Sequence, residues 1–254
     1  MPMDFTTEIQ HFMRRHGYER LTPQAALFDM DGTLYDSMPR HARAWMTMCE
    51  EEHLQARYDE FFGFEGRTGA ATINILFNRQ YGKDADAETI ERLYHRKTEL
   101  FASIPPPPII AGADKVTRYC RDMGMTTVLV TGSGQSSLLN RLDGDFPGVF
   151  DARRRVTSHD VTHGKPHSEP YLRALAIAGV PPCAAVTFEN APLGVESSDA
   201  AGVFTIAVIT GPIPREDMLR AGAAVVFDSM EQCAEMLPQL LSQMKEVVCD
   251  NHKK

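Results

Sequence analysis

The sequence predicts an α/β fold in which a doubly wound parallel sheet carries an inserted α-helical domain. Five short apolar runs are continuous rather than alternating, which is typical of strands that are covered on both faces, as in a parallel sheet. These runs lie at 25–28, 126–130, 184–188, 204–209 and 223–227. Stretches with helical periodicity separate the runs, at 112–123, 135–142, 168–178, 193–201 and 230–244. Strands that alternate with helices indicate a doubly wound core.

Residues 1–24, which precede the first predicted strand, are expected to form an N-terminal helical extension. Phe5, Ile9, Phe12 and Met13 fall on one face of a helix. This spacing indicates a short helix that packs on the rest of the protein. The alternative, a segment that binds a partner, is less favoured.

The segment 36–108 interrupts the alternation of strands and helices. It shows helical periodicity but no clear strand pattern, and four consecutive prolines at 105–108 end it with a stiff connector. Ligands of parallel sheets bind beyond the carboxyl ends of the strands. We therefore expect this helical insert, residues 36–108, to form a cap domain over a Rossmann-like catalytic core made of residues 25–35 and 109–254.

The composition indicates a cytoplasmic globular protein. The formal net charge of −8 argues against a surface for nucleic acid or an anionic membrane. A local cluster of cations or a metal ion can still attract a small anionic substrate into a cleft. The five cysteines are scattered, which favours reduced thiols. We find no signal peptide and no run of the ~18 apolar residues that a membrane span needs. A monomer is expected.

Two carboxylates, Asp29 and Asp31, directly follow the first predicted strand in the stretch AALFDMDGT. Residues two apart in an extended chain point the same way, so both carboxylates can face one site. Two acids held together are costly unless a cation neutralises them, and oxygen ligands of this kind suit Mg²⁺. Gly32 allows a tight turn after the pair. The alternative is an acidic turn that only ends the strand.

Polar residues follow later predicted strands as well. They are Thr131, Gly132 and Ser133 in VTGS, Lys165 in HGKP, and Glu189 and Asn190 in FEN. The hydroxyls and the backbone N–H groups beside glycine can approach an anion closely. Each motif alone is weak, because a single Thr-Gly or Lys-Pro is usually a turn. Their order, each at a strand end, indicates a single site.

The motifs DMDGT, VTGS, GKP and FEN…GVE…AG, in this order, resemble those of the haloacid dehalogenase superfamily of phosphotransferases, over about residues 25–230. In the helical insert, PRHARAW and EGRTG resemble the β-phosphoglucomutase-like branch. The resemblance implies that Asp29 is the nucleophile that forms an aspartyl-phosphate. It implies that Asp31 is the general acid for the leaving group and then the base for water. Thr131 then hydrogen-bonds the phosphoryl oxygens, beside Gly132 and Ser133.

The resemblance also implies how charge is balanced in the site. Lys165 bridges Asp29 and the phosphoryl group. Mg²⁺ is held by Asp29, the backbone carbonyl of Asp31, Glu189 and Asn190. A carboxylate that attacks a phosphate meets a repulsion on the order of 4 kcal/mol per charge pair at ~4 Å in a medium of intermediate dielectric. The metal and the lysine offset this repulsion.

One core residue departs from the pattern of the branch, which has Glu-Asp where this chain has Glu189-Asn190. An asparagine can ligate through its amide oxygen but brings no charge, so the metal site is one unit less negative. The change is either drift, with Glu189 alone ligating, or an adaptation to a more anionic substrate. Loss of catalysis is a third reading, against which the remaining core motifs argue.

The helical insert departs further from the mutases of the branch. Their Lys-Gly…Ser-Arg pattern grips the second phosphate of a sugar bisphosphate, whereas this chain has Glu65 in place of the lysine and Gly69 in place of the arginine. Arg67 lies two residues earlier. His41 and Lys97 match a hinge histidine and a lysine of the mutase cap. All four polar side chains are candidate substrate-binding residues.

These residues of the insert could also have purely structural roles. Glu65 can pair with Arg67, His41 can be a satisfied polar residue at the hinge, and Lys97 can lie on a solvated helix face. Taken together, Glu65 and Asn190 resemble the inorganic pyrophosphatases of this branch.

The sequence thus predicts a Mg²⁺-dependent phosphohydrolase that acts on a small phosphate compound, with inorganic pyrophosphate as the leading substrate. The first alternative is a β-phosphoglucomutase, which His41 and Lys97 support and Glu65 and Gly69 oppose. The second is a non-catalytic protein that binds phosphate or accepts a phosphoryl group, against which Asp31 argues.

Overall fold

The computed structural model describes residues 3–133 and 136–249. A sheet of six parallel strands lies at its centre within these residues. The strands are β1 (Ala25–Phe28), β2 (Thr126–Val130), β3 (Arg155–Val156), β4 (Ala185–Glu189), β5 (Phe204–Val208) and β6 (Val225–Phe227). Their order across the sheet is β3-β2-β1-β4-β5-β6. The predicted doubly wound α/β fold is therefore confirmed.

Helices surround the sheet, and those of the helical insert lie directly after the first strand. The helical insert contains α2 (Met38–Glu51), α3 (Glu60–Gly63), α4 (Gly69–Tyr81) and α5 (Ala87–Ser103). The helices of the remaining chain are α1 (Thr6–His16), α6 (Ala113–Asp122), α7 (Ser136–Leu139), α8 (Leu142–Asp145), α9 (Glu169–Ala178), α10 (Pro192–Ala200), α11 (Arg215–Arg220) and α12 (Met230–Glu246). A 3-10 turn, Pro182–Ala184, precedes β4.

The central strand β1 shows why the apolar runs are continuous. Ala26 and Phe28 face a hydrophobic cluster that includes residues of α1, α6 and α12. Ala25 and Leu27 face the opposite cluster, which includes residues of α9. Every residue of β1 is buried, so neither face can be polar.

Two short elements were not predicted, and one predicted helix is broken. The strand β3 has two residues and α11 has six, which is too short for a periodic pattern to stand out. The predicted helix 135–142 begins outside the described residues and consists of α7 and α8 with a turn at Asn140. Asparagine is a weak helix former. The runs predicted at 184–188, 204–209 and 223–227 differ from β4, β5 and β6 by one or two residues at their ends.

The helical insert has a hydrophobic cluster of its own. Trp45 and Met48 of α2 pack with Phe61, Ile73 and Leu93 from the other three helices of the insert. A hydrophobic core of its own is one feature that distinguishes a domain from a simple insertion.

The N-terminal helix α1 packs on the core, as its apolar spacing predicts. Phe5, Ile9, Phe12 and Met13 are all buried in the cluster that covers one face of the sheet. Gly17, in the left-handed conformation, ends the helix. In the described part of the chain, no helix has the length and apolar content to cross a membrane.

Candidate active site

The polar strand ends meet at one edge of the sheet because β1 lies between β2 and β4. Ala25 pairs with Thr126 on one side and with Ala185 on the other. The strands are parallel, so the residues that follow them emerge side by side. The amide of Asp29 donates to the carbonyl of Phe188 at the end of this ladder (3.1 Å).

Lys165 joins two carboxylates at this edge. Its Nζ donates to Asp29 Oδ1 (2.6 Å), to Glu189 Oε1 (2.5 Å) and to the carbonyl of Val130 (3.2 Å). The hydroxyl of Tyr171 also donates to Glu189 Oε1 (2.6 Å). Burial disfavours the ammonium of Lys165, but the two carboxylates outweigh it and raise the pKa of the lysine. Lys165 is therefore a fixed cation between two acids.

Asp29 is buried and only half paired. Burial raises its pKa to about 8, with help from the charges of Glu189 and Asp31 and against the effect of Lys165. Its Oδ1 contacts Lys165, whereas Oδ2 has no hydrogen-bond partner among the described residues. A buried carboxylate oxygen without a partner is costly unless a cation or an electrophile meets it.

Asp31 is held by a chain of polar side chains from the helical insert. Ser37 Oγ donates to Asp31 Oδ1 (2.7 Å), and His41 Nε2 lies 2.9 Å from the same oxygen. Lys97 Nζ lies 2.6 Å from His41 Nδ1. An ammonium can only donate, so Nδ1 accepts and the proton of a neutral His41 is on Nε2, where it is donated to Asp31. On Asp31, Thr131 Oγ1 donates to Oδ2 at 3.4 Å.

The pKa values in this chain follow from burial and from the pairing. Burial would raise the pKa of Asp31, but His41, Ser37 and Lys97 lower it overall. Burial lowers the pKa of Lys97 to about 7, against the attraction of Asp31. Burial and the charge of Lys97 lower the pKa of His41. His41 is thus a buried histidine with both nitrogens paired, and Lys97 is buried rather than solvated.

Glu65 reaches the site from the helical insert and pairs with a core residue. Asn190 Nδ2 donates to Glu65 Oε1 (2.8 Å), and Asn190 Oδ1 accepts from Thr33 Oγ1 (3.0 Å). Burial and the charge of Asp29 raise the pKa of Glu65 well above its ordinary value. The side-chain partner of Glu65 is therefore Asn190 and not Arg67.

The residues around VTGS contact the helical insert directly. A Cβ on Gly132 would lie 2.6 Å from the carbonyl oxygen of Gly66, so only glycine allows the two backbones to come this close. Gly132, Ser133 and Arg67 line a cavity of about 60 Å³ between the core and the insert, together with Asp29 and Lys97. The structure thus brings the sequence-predicted residues of core and insert into one place.

The oxygen atoms at this edge form a donor set that suits Mg²⁺. Asp29 Oδ2 is unpaired, Glu189 Oε2 accepts only the backbone amide of Asn190 (3.1 Å), and Asn190 Oδ1 keeps one lone pair beside the bond from Thr33. Carboxylate, amide and backbone oxygens are the ligands that Mg²⁺ prefers. Gly194 makes room for this arrangement, because a Cβ there would lie 1.9 Å from Glu189 Oε1.

Sequence reasoning missed several residues that hold the site. Ser37, Thr33 and Tyr171 donate to Asp31, Asn190 and Glu189. Hydroxyl side chains are common in turns and helices, so nothing in the sequence marked these three residues as part of the site. The aromatic residues Trp45 and Tyr94 also line the cavity.

Comparison with known proteins defines the class of this one. The sequence model of the haloacid dehalogenase-like hydrolases matches residues 23–202. The chain therefore belongs to the haloacid dehalogenase-like hydrolase family, and it is an enzyme of the phosphatase type.

Among solved structures, it is similar to a "putative beta-phosphoglucomutase" from Bacteroides vulgatus. That structure is 44% identical, with a TM-score of 0.92, and the match covers 95% of this chain and 98% of the other. The fold and family that the motifs predict are both confirmed.

Curated relatives are more distant. Hexitol phosphatase A of Escherichia coli is 31% identical over 185 residues, which are 72% of this chain and 81% of the relative. The phosphorylated carbohydrates phosphatase of Thermotoga maritima is 26% identical, over 86% of this chain and all of the relative. Neither these two names nor that of the Bacteroides vulgatus structure mentions pyrophosphate.

Proposed function

We propose that this protein is a Mg²⁺-dependent phosphohydrolase that cleaves a small phosphate compound through an aspartyl-phosphate on Asp29. The observation that carries the proposal is the state of Asp29, which is buried, paired through Oδ1 with Lys165 and unpaired at Oδ2. A carboxylate held in this way has one oxygen fixed and one oxygen ready to attack phosphorus. Membership in the hydrolase family supports the same reaction class.

Asp31 is the proton carrier in this proposal. It lies two residues from Asp29, and Ser37 and His41 fix its orientation. It donates a proton to the leaving oxygen when Asp29 attacks, and it accepts a proton from water when the aspartyl-phosphate is hydrolysed. A bound cation lowers the pKa of Asp29, and the negative charge of a bound phosphate raises that of Asp31. Both changes bring the two carboxyls toward the protonation states that the reaction needs.

Other core residues bind the transferring phosphoryl group. Thr131 and Ser133 offer hydroxyls at the end of β2, and Gly132 between them lets an anion approach the backbone closely. Lys165 keeps a positive charge between Asp29 and Glu189. Fixed donors and cations of this kind stabilise the charge of the transition state.

Mg²⁺ would be held by Asp29, the backbone carbonyl of Asp31, Glu189 and Asn190. When bound, the cation neutralises phosphate charge and orients the phosphoryl group. The helical insert, residues 36–108, serves as the cap: it opens to admit substrate and closes to exclude bulk water.

Inorganic pyrophosphate is the substrate that this geometry favours. Glu65 occupies the position where the mutases carry a lysine, and it contacts Asn190 at the metal edge of the site. A bound cation would lower the pKa of Glu65 and favour its carboxylate form, so we expect Glu65 to meet the cation rather than a substrate phosphate. With the insert packed on the core, the cavity of about 60 Å³ has room for only a few water molecules. A compact diphosphate needs less space than a sugar phosphate.

A phosphorylated carbohydrate is the second candidate substrate. The names of hexitol phosphatase A and of the carbohydrate phosphatase of Thermotoga maritima favour it. His41 and Lys97 match residues of the mutase cap, and here His41 contacts Asp31 while Lys97 contacts His41. This match supports isomerase activity as an alternative. A protein that only binds phosphate or stores a phosphoryl group has no need of Asp31 as a proton carrier.

The test is phosphate release with Mg²⁺ from pyrophosphate, fructose 1-phosphate and a hexitol phosphate. Conversion of β-glucose 1-phosphate to glucose 6-phosphate, with a trace of bisphosphate, is followed in parallel. Asp29→Asn, purified in the same way, controls for contaminating phosphatases. Pyrophosphate should be cleaved fastest. Faster release from a sugar phosphate would support the second candidate, isomerisation would support a mutase, and no turnover of any compound would overturn the proposed function.

A further inference from the structure

A cluster of metal-binding side chains lies outside the active site, in the segment between β3 and α9. His163, His167 and Glu169 each place one ligand atom within 4.8 Å of the other two. The imidazole rings of His163 and His167 are 4.7 Å apart between centroids. Both histidines are exposed, and Glu169 is half-buried at the start of α9.

We propose that His163, His167 and Glu169 form a binding site for a transition-metal cation such as Zn²⁺, separate from the acidic site at Asp29. A tetrahedral zinc site with bonds of ~2.0 Å has donor atoms about 3.3 Å apart. His163 Nδ1 and Glu169 Oε2 already lie 3.2 Å apart. The remaining adjustment falls on the exposed side chains of His163 and His167.

The carboxylate is fixed and charged before any ion arrives. Glu169 Oε1 accepts from the backbone amide of Thr162 (3.0 Å), and Oε2 accepts from that of His163 (2.9 Å). Arg173 Nη2 lies 2.9 Å from Oε1. The two backbone hydrogen bonds lower the pKa of Glu169 to about 2. The cluster thus has one anchored anion and two adjustable nitrogen ligands.

The donor types select the metal. Imidazole nitrogens suit Zn²⁺, Ni²⁺ and Cu²⁺, whereas Mg²⁺ prefers oxygen ligands and keeps its water. Affinity is limited by two competing contacts, since His167 Nδ1 accepts from the backbone amide of Glu169 (3.1 Å) and His163 Nδ1 is hydrogen-bonded to Glu169 Oε2 (3.2 Å). Either nitrogen of His167 can ligate only if its hydrogen bond with the amide of Glu169 is given up. We therefore expect micromolar rather than nanomolar binding of Zn²⁺.

The cluster lies on both sides of Lys165 in the chain, so a bound ion would affect the active site. His163 precedes Lys165 in the chain, and His167 and Glu169 follow it. Lys165 contacts Asp29 and Glu189. An ion that links the two sides of this segment restrains the loop that carries Lys165. It should stabilise the folded protein, because the three ligands come together only in that state.

The experiment uses the full chain with Mg²⁺ in excess, so that the acidic site is occupied. Zn²⁺ is titrated by calorimetry, and Co²⁺ serves as a visible probe because its spectrum separates nitrogen and oxygen ligands from thiolates. The variants are His163→Ala and His167→Ala. His159→Ala is the matched control, because His159 is an exposed histidine of the same segment.

The unchanged protein and the control should bind one Zn²⁺ and gain thermal stability from it. Each of the other two variants should bind Zn²⁺ roughly tenfold more weakly, or worse, and lose the Co²⁺ spectrum. Equal affinity in all four proteins, or a thiolate spectrum, would overturn the proposal. Because binding is measured directly, its result does not depend on whether the phosphatase function is correct.

Discussion

Asn190 Nδ2 donates a 2.8 Å hydrogen bond to Glu65 Oε1, and this contact joins the core to the helical insert across 125 residues of sequence. Both side chains are buried, with Glu65 8% and Asn190 5% exposed. An aspartate at position 190 would face Glu65 with a second carboxyl group, and the two could keep a hydrogen bond only by holding a proton between them. The two residues are therefore matched, since a carboxylate on the insert requires a donor on the core.

Asn190→Asp is expected to lower kcat/KM at least about tenfold. The substitution replaces a buried amide–carboxyl hydrogen bond with two carboxyl groups that must share a proton or repel each other, which costs on the order of 1–3 kcal/mol. The repulsion should hold the insert away from the core. Steady-state kinetics on the best substrate of the panel measure the loss.

Adding Glu65→Gln to Asn190→Asp provides the control. The double variant keeps the net charge of the pair and restores a donor opposite a carboxylate, with the roles of the two positions exchanged. It should be more active than Asn190→Asp alone, and the double-mutant cycle gives the coupling between the positions. A double variant that is no better than the single one would show that this contact does not hold the insert in place.

The core part of the site was predictable from the sequence because parallel strands bring their carboxyl ends to one edge. Asp29 and Thr131 directly follow β1 and β2, and Glu189 is the last residue of β4. These three strands are neighbours in the sheet, so local patterns were enough to group the residues. The pairing of Glu65 with Asn190 was not predictable, since nothing local relates a loop of the insert to a strand end of the core.

The burial and pairing of the charged residues in the site could not be predicted from the sequence either. Lys97 lies among charged residues in the chain, a pattern that is equally typical of a solvated face, yet it is 3% exposed and paired with His41. The short strand β3 and the break between α7 and α8 were not predicted from the sequence for a different reason. Segments of two to four residues hold too little periodicity to indicate a structure.

Asp29→Asn is expected to abolish turnover while the protein stays folded. The amide has the shape of the carboxylate but cannot attack phosphorus, so no aspartyl-phosphate forms. The amide oxygen can still accept the hydrogen bond from Lys165, and a pKa of about 8 already leaves Asp29 largely neutral near pH 7, so thermal stability should change little. Activity is followed by phosphate release and folding by thermal unfolding. Retention of measurable turnover would refute the nucleophilic role of Asp29.

Lys97 should make the stability of the protein depend on pH in a defined window. Burial lowers its pKa from 10.5 to about 7 in the folded state. Between these two pH values the unfolded chain binds one more proton than the folded protein, so stability rises with pH across the window. The full effect is at most about 5 kcal/mol. Lys97→Met removes it, and its free energy of unfolding should change less between pH 7 and 10.

Chemical unfolding of the unchanged protein and of Lys97→Met at several pH values measures this difference. Lys83→Met is the control, because Lys83 is an exposed lysine of the same insert and should leave the pH dependence as it is. Parallel curves for the unchanged protein and Lys97→Met would mean that Lys97 stays charged throughout the window.

Gly132→Ala should impair catalysis through closure of the helical insert rather than through folding. A Cβ at Gly132 would lie 2.6 Å from the carbonyl oxygen of Gly66, which belongs to the insert. The new methyl group would prevent the helical insert from packing closely on the core. We therefore expect the insert to close less often and kcat/KM to fall about tenfold or more. Kinetics and thermal unfolding of the same preparation separate the two effects.

Gly63→Ala is the matched control for Gly132→Ala. A Cβ at Gly63 would have no heavy atom within 4 Å, so the same substitution in the insert should leave activity unchanged. Because Gly132 borders Thr131 and Ser133, the substitution must also be shown to act on closure and not on phosphate binding. Inorganic phosphate should therefore inhibit Gly132→Ala with nearly the affinity that it has for the unchanged protein. A large loss of phosphate affinity would instead place the effect of Gly132 at the phosphate itself.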